Sequence, residues 1–95
     1  MAAVRWSPAA FEDVARLAAF LHDADPRAAG DTARLIFDAL HLLERYPLIG
    51  RGIRNDRREL VIYRGRTGYL AQYEYDAPHD EVVILAIRHQ REIEH

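Results

Sequence analysis

The chain has 95 residues, 49% of them hydrophobic and 29% charged, which describes one folded domain with one modest core rather than a disordered segment. It has no cysteine, which excludes a disulfide framework and thiolate chemistry, and its formal net charge of −2 argues against a dedicated nucleic-acid binder. The longest apolar run, residues 82–87, is too short to cross a bilayer, and no secretory signal is read at the start, so a cytoplasmic protein without membrane contact is expected. Residues 2–6 read as a short extended start. Ser7-Pro8 then supplies a hydroxyl cap and a proline at the first helical position. Phe11, Val14, Leu17, Ala18 and Leu21 follow at helical spacing, leaving Glu12, Asp13, Arg16 and Asp23 outward. Asp25-Pro26 is a second cap-plus-proline start. The second helix is expected to bury Ala29, Ala33, Ile36, Leu40 and Leu43, flanked by Phe37, with Gly30 weakening its first turn so that the regular part begins nearer Asp31, and Pro47 ending it. So short a connection predicts an antiparallel helix hairpin.

Residues 48–56, with glycines at 50 and 52, read as a loop. The apolar period then changes to two. Residues 60–63 form a strand, and Arg64-Gly65-Arg66-Thr67-Gly68 a five-residue connection. In the next strand Tyr69, Ala71, Tyr73 and Tyr75 share one face, and Leu70, Gln72 and Glu74 the other. After a turn at 76–80, residues 82–87 are apolar at every position, as in a central strand buried on both faces. The order is β-α-α-β-β-β, an α+β fold with the helix hairpin packed on a small, mostly antiparallel sheet, and residues 1–95 form a single domain.

Candidate chemistry is sparse. The histidines at 22, 41, 79, 89 and 95 lack the spacings that converge on an ion, and no phosphate loop is present, so neither metal nor cofactor is expected. Ser7, the only serine, is already used as a cap. All thirteen basic residues are arginine, and seven of them (Arg45, Arg51, Arg54, Arg57, Arg58, Arg64, Arg66) lie between 45 and 66 against only Asp56 and Glu59. This basic band is either a solvated loop or a contact surface for phosphate or an acidic peptide, which guanidinium groups grip bidentately. Arg88, His89, Arg91 and Glu92 close the last strand. Either the strand turns polar simply to leave the core, or Arg88 and His89 face opposite sides and one joins the band. Histidine with arginine suits acid–base work and anion stabilisation at a phosphodiester, or recognition alone.

Thr67-Gly68-Tyr69 with Tyr73, and the ending over residues 84–92, resemble the RelE/ParE toxins of bacterial type II toxin–antitoxin pairs. His89-Gln90-Arg91-Glu92 is similar to the ParE branch, where histidine precedes an arginine–acid pair. The RelE branch places lysines in the strand before the Gly-Tyr turn and an arginine after it. Here those places hold Leu60-Val61-Ile62-Tyr63 and Leu70. The resemblance therefore implies a ParE-like toxin that poisons DNA gyrase without catalysis. The alternative it implies is a ribosome-dependent messenger-RNA endonuclease, with Arg88, His89 and Arg91 as catalytic residues. It also implies a cognate antitoxin in a tight hetero-oligomer. The expected target- and antitoxin-binding residues are Arg54, Arg57, Arg58, Arg64, Arg66, Tyr69, Arg88, His89, Arg91 and Glu92.

Overall fold

The computed structural model describes residues 1–64 and 67–90. Strand β1 (Ala3–Trp6) leads into helices α1 (Pro8–Ala24) and α2 (Pro26–His41), followed by strands β2 (Arg51–Arg54), β3 (Arg57–Arg64), β4 (Thr67–Asp76) and β5 (Glu81–His89). Helix α1 starts where the Ser7 hydroxyl accepts the Ala10 N–H at 3.1 Å. A single residue, Asp25, joins the helices. Its extended backbone is what a residue before proline prefers, and its carboxylate accepts from Arg27 N and Ala28 N to open α2. Gly30 does not delay this helix, because Pro26 and the Asp25 cap set its start. It ends at His41 in a 3-10 turn (Leu42–Glu44), short of Pro47, so Leu43 is buried from beyond the helix.

The strands form one sheet in the order β1-β5-β4-β3-β2, with β1 parallel to β5 and every other pair antiparallel. The expected α+β hairpin-on-sheet architecture is therefore present, with one more strand: β2 lies inside the segment read as a loop. All four of its residues are exposed, so no alternation marked it. Strand β4, rather than β5, is the middle strand. Strand β5 buries one face only, Val82, Ile84 and Ile87, while Val83 and Leu85 are half-buried on the other side. Its register with β4 slips between Gln72↔Ala86 and Tyr73↔Ile84, leaving Leu85 as a bulge.

One face of the sheet carries Ile62, Tyr69, Ala71, Tyr73, Val82, Ile84 and Ile87 into a core shared with Val14, Leu17, Ile36 and Leu40 of the helices. Two positions of α1 depart from the expected pattern. Phe11 is 56% exposed, drawn toward Trp6, and Asp13 is 8% exposed although it was placed outward.

Candidate functional site

The sheet face turned away from the helices is where the C-terminal strand delivers its polar end. Strand register fixes what lies there. Leu70 of β4 is paired with Val61 of β3 on one side and Arg88 of β5 on the other, so Val61, Leu70 and Arg88 make one row across three strands. In the next row Gly68 is paired with Tyr63, and a Cβ on Gly68 would meet the amide of Gln90. Tyr63 is 63% exposed and Val61 43%. Farther along the same face Glu59 is paired with Gln72, and Arg57 with Glu74.

Arg88 is held from the side. Beyond Trp6, strand β1 no longer covers the edge of β5, and helix α1 takes over. The Ser7 hydroxyl donates to Leu85 O, and Asp13 accepts the Ile87 N–H at 2.9 Å through one carboxylate oxygen. The other oxygen of Asp13 accepts Arg88 Nη1 at 2.8 Å, with Arg16 at 3.5 Å. The guanidinium side of the pair stays 42% exposed and the carboxylate 12%. No sequence signal could have found Asp13, because its partners lie 74 and 75 residues away.

His89, one residue on, points to the opposite face. It meets Tyr69 edge-on, with ring centroids 5.3 Å apart. The structure thus divides Arg88 and His89 between two sides of the sheet rather than gathering them round one reacting phosphate. Tyr69 is 2% exposed, so its ring packs in the core instead of presenting a contact surface.

The basic band is likewise divided. Arg58 turns inward and donates to Leu48 O and Gly50 O at 3.3 and 2.8 Å, bracing the segment before β2. That role is structural. Arg51 pairs with Glu59 at 2.6 Å and Arg57 with Glu74 at 3.4 Å. Arg54 is exposed beside the tight β2–β3 turn, where Asn55 adopts φ 50°. Arg57 and Arg88 sit opposite Glu74 and Leu70, four residues apart on β4, so they lie roughly 13 Å apart along the strand direction and on opposite sides of β4. The band and the strand end are therefore two sites. Arg66, Arg91 and Glu92, with His95 and the side chain of Arg64, lie outside the described residues.

A second surface lies where β1 meets the helix hairpin. Trp6 lies between Phe11 and Phe37, with centroids 5.4 and 5.1 Å away, beside a groove lined by Val4, Leu40, Asp38, His41 and Glu44. Among the described residues no group of histidines and carboxylates could hold a metal ion, and no helix is long and apolar enough to cross a membrane. Burial pushes the Tyr73 hydroxyl above the ordinary tyrosine range, and Tyr75 is raised by donating its proton to Asp80 at 2.7 Å.

The chain has relatives among known proteins. It is 34% identical over 92 residues to Toxin RelE3 of Caulobacter vibrioides, covering 97% of this chain and 98% of that protein. Its fold matches the chromosomal ParDE system of P. aeruginosa with a TM-score of 0.76 at 19% identity, over 94% of this chain and 96% of that one. It also matches the toxin–antitoxin complex RelBE2 of Mycobacterium tuberculosis with a TM-score of 0.58 at 29% identity, over 94% and 98% of the two chains. The family model for the ParE toxin of the type II toxin–antitoxin system parDE matches residues 4–94. With that match running through both helices and all five strands, the chain belongs to the ParE toxins of type II toxin–antitoxin systems, within the RelE/ParE superfamily.

Proposed function

We propose that this toxin arrests growth in the cytoplasm by binding DNA gyrase, without catalysing a reaction, and that a cognate antitoxin neutralises it in a tight hetero-oligomeric complex. The observation that supports gyrase over the ribosome is the row Val61–Leu70–Arg88. Cutting a phosphodiester needs cations around the charge that develops on phosphorus, preferably with an acid beside them. Val61 and Leu70 supply neither charge nor donor. Among the described residues Arg88 is the cation of that row, and it is already paired with Asp13, while His89 faces away. An exposed apolar row ending in one oriented guanidinium is better suited to recognition. Arg54 and Arg57 form a separate contact area in this reading, and Arg64, Arg66, Arg91 and Glu92 remain proposed contacts.

The second reading is a ribosome-dependent messenger-RNA endonuclease. It is favoured by the name of the 34%-identical relative, Toxin RelE3, and by the RelBE2 complex among the similar folds. Arg88, His89 and Arg91 would then be its catalytic residues. Purified toxin assayed for gyrase supercoiling and, in parallel, for cleavage of message on translating ribosomes separates the two. Lost supercoiling with intact message is expected. Cleaved message with normal supercoiling overturns the proposal in favour of the second reading. Mixing in the product of the neighbouring gene should abolish the effect, and failure of the two proteins to copurify would refute the antitoxin assignment.

A further inference from the structure

We infer that Asp13, on helix α1, is a positioning residue for Arg88, so the functional surface at the end of β5 is built partly by the helix hairpin. This rests on the reading above, in which Arg88 contacts the target. Three observations carry it. Asp13 is the one charged residue in the buried set among the described residues, and burying a carboxylate is costly unless its oxygens are satisfied. Both are satisfied, and by neighbours in sequence: Ile87 N at 2.9 Å and Arg88 Nη1 at 2.8 Å. The arginine, in contrast, remains 42% exposed.

This asymmetry has a consequence for function. A carboxylate needed only to stitch α1 to the bare edge of β5 could do so through Ile87 N alone. The second oxygen instead fixes the direction of a long side chain that would otherwise sample many rotamers. A guanidinium held in one orientation loses less freedom when a partner binds. The Leu85 bulge lies immediately before this point, after β5 has parted from β1, and it shifts the alternation of β5 so that Ile87 enters the core and Arg88 takes the outer face at the strand edge that Asp13 reaches.

The test is a double-mutant cycle in the intact toxin, read as the induced dose that halves growth at matched protein levels. Asp13→Asn keeps an oxygen for Ile87 N but removes the charge facing Arg88. Arg88→Ala is expected to raise the required dose about tenfold, Asp13→Asn several-fold, and the double variant no further than Arg88→Ala alone, because residues acting through one another are not additive. Asp13→Asn should melt within about 3 °C of the native protein, so that its loss is not one of folding. If Arg88→Ala costs potency and Asp13→Asn does not, the positioning role is overturned while the surface survives. Additive losses overturn it too. An unchanged Arg88→Ala removes the reading on which it rests. Should Asp13→Asn fail to fold, side-chain relaxation of the native protein decides: Arg88 Nε–H should be markedly more rigid than that of exposed Arg54, and equal mobility refutes the inference.

Discussion

The hydroxyl of Tyr73 occupies the space that a side chain on Gly50 would need. It accepts the Gly50 N–H at 2.9 Å and donates to Pro47 O at 2.8 Å, tying the middle strand of the sheet to the segment that enters β2. A Cβ on Gly50 would come within 2.6 Å of that oxygen and 2.9 Å of the backbone oxygen of Glu59. Tyr73→Phe leaves a buried N–H without its partner and should cost about 1–3 kcal/mol. Gly50→Ala should cost at least as much, since backbone on β3 has to move. Urea unfolding checks both: midpoints fall at constant slope. A Tyr73→Phe protein as stable as the native one would show that the clamp contributes nothing to stability.

The same hydroxyl gives stability a pH dependence on the alkaline side. Burial lifts the Tyr73 pKa above the ordinary tyrosine value, with the Gly50 N–H and the charge of Arg58 opposing. A raised folded-state value means that the unfolded chain loses this proton first as pH rises. The stabilising contribution is therefore complete below about pH 10, where the unfolded tyrosine keeps its proton, and is lost as pH climbs through the folded value. Tyr75, tied to Asp80, adds a solvent-screened effect of the same sign. Unfolding free energy measured from about pH 8 to pH 11 should decline, and the decline should be shallower in Tyr73→Phe. Equal slopes in the two proteins would refute the assignment.

Asp25 closes α1 and opens α2 at one position. Its own N–H bonds Leu21 O at 2.7 Å, and its carboxylate receives Arg27 N at 3.1 Å and Ala28 N at 3.4 Å. Asp25→Ala should lose about 1 kcal/mol and Asp25→Asn much less, because the amide oxygen still caps. The reverse order in thermal melts would show that charge, not capping geometry, holds the hairpin.

What the sequence made legible follows the range of the interactions. Ser7-Pro8 and Asp25-Pro26 announced both helix starts because a cap and a proline act within one turn. The alternation of Tyr69, Ala71 and Tyr73 announced β4, since a sheet covered on one face imposes period two. Strand β2 was hidden because an edge strand exposed at every residue has no pattern to show. The position of Asp13 was hidden for another reason. A carboxylate on an amphipathic helix normally marks the wet face, and only the shortness of β1, which leaves β5 N–H groups uncovered, makes a buried acid favourable there. Likewise Arg58 joined the basic band by its number, but register with Tyr73 turned it inward. Charge counts along the chain locate cations without saying which face they reach.

Thr32 gives the cleanest test of the helix hairpin. It is 2% exposed on α2, facing Val14, Leu17 and Leu21 of α1, and its hydroxyl has no hydrogen-bond partner among the described residues. A buried hydroxyl that has left water without finding an acceptor costs about 1–3 kcal/mol. Valine has nearly the same shape and a similar helix propensity, so Thr32→Val should raise stability by about 1 kcal/mol. Thr32→Ser keeps the unsatisfied hydroxyl and deletes a packed methyl, so it should lose about 1 kcal/mol. The two substitutions thus move the urea midpoint in opposite directions. If Thr32→Val is destabilising instead, the hydroxyl has an acceptor in solution, and the interface between α1 and α2 is wetter than its side chains indicate.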